Sequence, residues 1–277
     1  MKKVLKNISV LLLLIIMIFS SSGCQKINEL KLELGLINND FEYIKEGKAD
    51  KIIIQSTRDQ GFRFIVTDKS TIGDMYDILS SAKKVDEKSE LQPDYIFEIH
   101  ENGTVHKFNY ITGLDKNDYG NLYSDDAVYI VSKRIDHDII RNLWNYRAPR
   151  EFKVTYYGSI LQFLNAFGKD ITANSKKVGI DLSQDVEGAK YQLSLEIEEF
   201  EEELAKTMST AKIVDNNSEE FDVLVSIKTQ GYKTKVYKAV ITVFDKVDKS
   251  ETKYYINNIH ENGEWEINVT NTRPNRF

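Results

Sequence analysis

The sequence predicts an α+β protein of two small domains, each an antiparallel sheet with packed helices, and three observations carry that expectation. The chain has 277 residues, more than one domain of about 100–200 residues requires. Stretches of alternating apolar residues stand beside stretches with apolar residues at helical spacing, the mixture an α+β fold needs. Arg147-Ala148-Pro149-Arg150 interrupts both patterns near the middle and reads as a boundary. With 41% apolar residues, 15 Tyr and 13 Phe, the chain has material for two cores, which excludes disorder over most of its length.

Residues 24–50 read as a tether, because the alternation of Leu30, Leu32, Leu34 and Leu36 is weakened by Gly35 and ended by Asn38-Asn39-Asp40. The first domain is expected over 51–146. Lys51–Thr57 is β-rich, Arg58-Asp59-Gln60-Gly61 turns, and Phe62, Phe64 and Val66 alternate in a returning strand. Asp68 or Ser70 caps a helix whose stripe is Ile72, Met75, Ile78, Leu79 and Ala82. Tyr95, Phe97 and Ile99 alternate up to the hairpin signal Asn102-Gly103, and Val105–Tyr110 returns. A short strand over Ala127–Ser132 follows. An amphipathic helix bearing Ile135, Ile139, Ile140, Leu143 and Trp144 closes a ββαβββα order.

The second domain is expected over 151–277. It opens with a short strand, Phe152–Tyr156, and a helix carrying Ile160, Leu161, Phe163, Leu164 and Phe167. Lys190–Met208 reads as a helix on the spacing of Leu193, Ile197, Phe200 and Leu204, with a strand start at Leu193–Ile197 as the competitor. Four strands follow, Phe221–Lys228, Thr234–Phe244, Glu251–Asn257 and Glu264–Val269, separated by turn residues. Helices followed by an antiparallel meander resemble the cystatin-like and nuclear-transport-factor-like cone folds, which host enzymes and inert scaffolds alike. Ile99-His100-Glu101-Asn102-Gly103 recurs as 259–263. The unmatched flanks favour shared turn chemistry over duplication.

Residues 1–23 read as a cleaved targeting segment. Lys2, Lys3 and Lys6 precede an apolar run from Ile8 to Phe19 that is too short for the ~20 residues of a spanning helix. Ser22-Gly23-Cys24 then resembles the lipobox of a bacterial lipoprotein signal, with Ser21 standing where an aliphatic residue is usual. That resemblance implies a diacylglycerol on the Cys24 thiol, and hence a protein held on the outer face of the cytoplasmic membrane. Each buried lipid CH₂ is worth about 0.8 kcal/mol, so two chains anchor stably. Removing residues 1–23 leaves 34 basic against 43 acidic residues, net −9, a body that anionic headgroups repel. Acidity also argues against a nucleic-acid partner.

Pro93-Asp94-Tyr95-Ile96-Phe97, the Asn102-Gly103 hairpin and the closing helix are similar to the YhfM-like domain of uncharacterised Gram-positive lipoproteins. The resemblance covers about a third of the chain and implies no catalytic residue or cofactor.

Chemistry-bearing patterns are sparse. His100 and His106 are the candidate metal pair, yet a two-residue Asn102-Gly103 turn aligns Ile99 with His106 and so places the rings on opposite faces. No metal is therefore assigned. His137 is expected on the wet face of its helix. Asp115, Asn117, Gly120, Leu122 and Asp126 partly follow a calcium-loop spacing, with Tyr119 and Asp126 departing from it. The glutamates at 196, 198, 199, 201, 202 and 203 read as a solvated helix face, with Glu202 and Lys206 as an i,i+4 pair. Tyr232, Tyr237, Tyr254 and Tyr255 are candidates to line a sheet groove. Ser80-to-Lys83 and Ser209-to-Lys212 give S-x-x-K spacing without the partner motifs that make it catalytic. The expectation is a non-enzymatic binding or accessory role with an envelope protein partner and no cofactor. The alternative is an envelope enzyme or small-ligand binder using a pocket of the second domain.

Overall fold

The computed structural model describes residues 37–45, 47–114, 118–141, 149–171, 176–275 and 277. It has the α+β architecture the sequence predicts, with two seven-stranded sheets and a separate apolar core against each.

The first domain runs α1 (Glu42–Lys45), β1 (Ala49–Ser56), β2 (Arg63–Val66), α2 (Lys69–Ser80), β3 (Lys83–Val85), β4 (Tyr95–Glu101), β5 (Thr104–Tyr110), β6 (Leu122–Tyr123) and β7 (Val128–Ile130), then a π-helical segment, Ile135–Ile140. Its sheet order is β2-β1-β4-β5-β6-β7-β3, and every pair is antiparallel. Alternation puts Ile52, Ile54, Phe97, Ile99, Phe108 and Tyr110 on one face, where Ile72, Met75, Ile78, Ile135 and Ile139 cover them. Asp68 caps α2 by accepting from the Thr71 N–H at 2.9 Å.

Three differences from the sequence reading have physical causes. Residues 37–45 and 47–50 are part of the domain: Phe41 and Ile44 are buried, and the Asn38 amide donates to the Leu79 and Ala82 carbonyls at 3.0 and 2.8 Å. Strands β3 and β6, three and two residues long, carry too little periodicity to read and exist through their partners β7 and β5. The closing helix is described to Arg141 and winds as a π-helix, while Leu143 and Trp144 lie outside the described residues.

The second domain runs α3 (Phe152–Ile171), β8 (Val178–Asp181), α4 (Val186–Ala189), α5 (Ser194–Thr207), β9 (Ala211–Ile213), β10 (Val223–Lys233), β11 (Val236–Asp245), β12 (Ser250–Glu261), β13 (Glu264–Glu266) and β14 (Val269–Thr270). The meander β10-β11-β12 is present, and Tyr156, Ile160, Phe163 and Leu164 of α3 pack on its inner face. Phe152–Tyr156 is the first turn of α3 rather than a strand. The stripe Thr155, Tyr156, Ser159, Ile160 and Phe163 continues upstream, and burial along it outweighs the local β preference of aromatic residues. Helix α5 begins at Ser194, so the strand start at Leu193–Ile197 is lost to the helix. The sheet is also not a pure meander: β8 pairs parallel with both β10 and β9.

The repeated pentapeptide makes the same turn twice. Asn102 and Asn262 have φ of 46° and 53°, each followed by a glycine at 92°, the left-handed pair a two-residue hairpin needs. Burial is inverted between the copies. Ile99 is in the first core with His100 on the far face, whereas His260 is buried in the second domain and Ile259 is half-exposed. The two copies share the turn and not the burial of the residues that flank it.

Candidate functional site: the junction of the two domains

The two domains meet through a carboxylate. Asp94, in the loop before β4, is 2% exposed. It accepts from Arg58 Nη1 at 2.6 Å and from the Thr112 N–H at 2.9 Å within its own domain. It also accepts from the Ser194 N–H at 2.8 Å, the first residue of α5 in the other domain. Leu193, which stands at the cap position of α5, has no side chain to satisfy that donor, so Asp94 caps the helix from outside its domain. The Ser194 hydroxyl donates to the Gln92 carbonyl at 2.6 Å and accepts from Arg58. Gly113, at φ +87°, leaves room for Leu195: a Cβ there would stand 3.1 Å from its Cδ2.

Beside this junction lies a cleft of about 660 Å³. Tyr95, Ile140 and Tyr191 are buried in its floor, and Phe152, Leu193 and Leu195 form its apolar wall. Lys133, His137, Arg141, Glu151 and Lys153 stand exposed at its rim. Asp136, from the π-helical segment, is buried and accepts from the Tyr110 hydroxyl at 2.9 Å. A buried hydroxyl and a half-buried carboxyl of its lining stand without a partner among the described residues. The Thr112 Oγ1 is buried without a hydrogen-bond partner among the described residues. Glu196, half-buried on the first turn of α5, makes no ion pair among the described residues. Burial pushes its carboxyl up to about 7, against the pull of Lys153 and Arg141 and with the repulsion of Glu199 and Asp94. A second crevice of about 770 Å³, lined by Glu87, Lys88, Glu90, Leu114, Tyr119 and Glu198, has a charged wall and no such enclosed carboxyl.

The residues singled out from the sequence disperse. Cys24, Asp115 and Asn117 lie outside the described residues. His106 faces Glu101 at 2.8 Å and stacks on Tyr43 at 4.3 Å, while His100 sits on the opposite face, 4.0 Å from Glu98. The pairing of Ile99 with His106 and of His100 with Val105 is the one the turn dictates. Among the described residues no group of three or more His, Cys, Asp or Glu is placed to hold a metal. Gly120 serves close packing: a Cβ there would lie 2.2 Å from Val128 Cγ1. His137 is exposed, as its helix position predicts.

The glutamate run divides. Glu196 turns to the cleft and Glu199 pairs with Lys153, while Lys206 pairs with Glu203 at 2.8 Å rather than with Glu202. The four tyrosines form no common groove. Tyr237 and Tyr254 are in the core, the Tyr232 hydroxyl bonds that of Tyr191, and Tyr255 packs on Phe277. Sequence reading missed Glu196 because its neighbours are chemically identical. It missed Asp94 and Ser194 because their partnership spans 100 residues.

What the geometry defines is a two-domain α+β protein with a mixed polar and apolar cleft at the domain junction. Residues 45–149, less than half of the chain, match the family model described as YhfM protein. The first domain is thus similar to that family, as Pro93–Phe97 and the Asn102-Gly103 hairpin lead one to expect. The second domain lies outside the match. No curated protein and no solved structure matches the chain. Among the described residues, no helix is long and apolar enough to cross a membrane.

Proposed function

We propose that the chain is a lipid-anchored lipoprotein of the outer face of the cytoplasmic membrane, with a non-enzymatic binding or accessory role in the cell envelope. The anchor rests on the basic, apolar and small-residue order of residues 1–24 ending at Cys24. One observation carries the binding role: a cleft of about 660 Å³ between two hydrogen-bonded domains, with an apolar wall and an unpaired carboxyl. An envelope protein partner and the absence of any nucleic-acid partner complete the proposal, the latter supported by the acidic balance.

A second reading, an envelope enzyme, draws on the same Glu196, since a carboxyl near 7 suits proton transfer at neutral pH. It places the chemistry between the domains rather than in a pocket of the second. The experiment is membrane fractionation with fatty-acid labelling and crosslinking in intact cells, for the native chain and Cys24→Ser. Labelling and membrane retention lost in the variant, with one crosslinked envelope partner lost beside them, is the expected result. A Cys24→Ser protein that stays in the membrane at native mobility overturns the anchor. Turnover of a substrate abolished by Glu196→Gln would replace the binding role with the enzymatic one.

A further inference from the structure

The cleft holds half-buried acidic and polar groups inside and, at its rim, three cations with the exposed Glu151 among them. Its interior offers a carboxyl on Glu196 and the Thr112 hydroxyl, which has no partner among the described residues, with the buried Asp136 in the same lining. Its rim offers the exposed cations Lys133 and Arg141, with Lys153 beside them already paired to Glu199. Between them run the apolar side chains of Phe152, Leu193 and Leu195.

Each layer selects a chemistry. A half-buried carboxyl without a counter-ion is held partly protonated by its surroundings, and an incoming cation is what restores its charge at least cost. An ammonium has three donors, enough for the Glu196 carboxylate and the Thr112 oxygen together. A simple anion satisfies the rim alone and would have to approach Asp136 and Glu196 to reach the floor. A simple apolar amine satisfies the floor and leaves the rim unused.

We propose, building on the binding role above, that the cleft takes a zwitterion bearing a free primary ammonium and an apolar side chain, an apolar amino acid or the amino-terminal end of a short peptide. Its ammonium lies at Glu196 and Thr112, its side chain on Phe152, Leu193 and Leu195, and its carboxylate toward Lys133 and Arg141, Lys153 being shared with Glu199.

Isothermal titration calorimetry of the full chain, with Cys24→Ser to remove the acceptor thiol, tests this with three probes: Leu-Ala, N-acetyl-Leu-Ala and Leu-Ala amide. Leu-Ala binds. Acetylation removes the ammonium and weakens binding roughly tenfold or more, the worth of a charge-assisted hydrogen bond. Amidation removes the carboxylate, which meets exposed and hydrated cations, and weakens binding by about threefold. Glu196→Gln lowers the affinity for Leu-Ala to that of the acetylated probe, with an unchanged far-UV spectrum as the folding control. Thr112→Val is the second variant, expected to lose about threefold. No binding of Leu-Ala, or equal affinity for free and acetylated probes, overturns the proposal; so does native affinity in Glu196→Gln. A crosslinked envelope partner obtained alongside such a result would leave the binding role standing and remove the zwitterion alone.

Discussion

Replacing Asp94 by alanine tests whether the two domains act as one unit. The carboxylate is 2% exposed and accepts from Arg58 at 2.6 Å, Ser194 N–H at 2.8 Å and Thr112 N–H at 2.9 Å. Truncation leaves two backbone donors without an acceptor, each costing about 1–3 kcal/mol where water cannot reach. It also leaves the Arg58 guanidinium, whose side chain is 19% exposed, without its charged partner and with only the Ser194 hydroxyl to donate to. Breaking one side of a buried pair costs about 3–5 kcal/mol in total, because the losses overlap and some water enters. Part of that loss is local to the first domain, and part, the Ser194 bond, joins the domains. Urea unfolding should therefore show Asp94→Ala destabilised by about 3–5 kcal/mol, with the second domain's transition separating from the first. A cycle with Arg58→Ala should return a coupling of about 2 kcal/mol. A loss under about 1 kcal/mol with a single unchanged transition would refute the reasoning, since it would mean the carboxylate is not the acceptor those donors depend on.

Glu196 gives a pH signature. Its folded pKa lies above that of the unfolded chain, so the native state holds the proton more tightly between about 4.5 and about 7. Stability from this group is present below that window and lost as pH rises through it. Unscreened, the shift corresponds to about 3 kcal/mol; half-burial reduces it to about 1–2 kcal/mol. Glu196→Gln should remove that loss, so its stability gain over the native chain should grow from pH 4.5 to pH 8 in denaturant titrations; a flat difference counts against the cleft environment. Gly120→Ala should destabilise by about 2–4 kcal/mol, because its Cβ would overlap Val128 at 2.2 Å and approach the Tyr129 carbonyl at 3.1 Å. Thermal unfolding at native midpoint would contradict that packing. Asn258→Leu should cost about 2–4 kcal/mol, since the buried amide donates to the Thr155 and Ser159 hydroxyl oxygens, both at 2.8 Å; chemical denaturation measures it, and a loss below about 1 kcal/mol would mean the network is dispensable. Zinc titration should leave the unfolding midpoint unchanged, as His100 and His106 face opposite ways; a shift reversed by His106→Ala would overturn that.

The elements that carried a full period were legible one residue at a time. Ile72, Met75, Ile78 and Leu79 place α2, and Tyr95, Phe97 and Ile99 place β4, because a stripe or an alternation is local information. The Asn102-Gly103 turn went further and determined the β4–β5 register, and with it the separation of the two histidines. Short strands resisted: β3, β6, β8 and β9 hold two to four residues each, and their neighbours in space, not their composition, make them strands. The first turn of α3 has the same cause, its aromatic and β-branched residues being decided by what they pack against.

The sequence by itself determined the mixed α+β class, the two-core organisation, the similarity of the first domain to the YhfM family and the order of residues at the amino terminus. All of these depend on neighbours in the chain. Tertiary structure alone decided the junction, where Asp94 caps a helix 100 residues away. It also decided which one of six neighbouring glutamates leaves the solvated face. Glu203, seven residues on, shares the angle of Glu196 around α5 and stays exposed, so what sets Glu196 apart is its place on the first turn, where the first domain is packed against the helix. Burial and partnership are properties of the assembled molecule, so the residues of the candidate site became distinct only there.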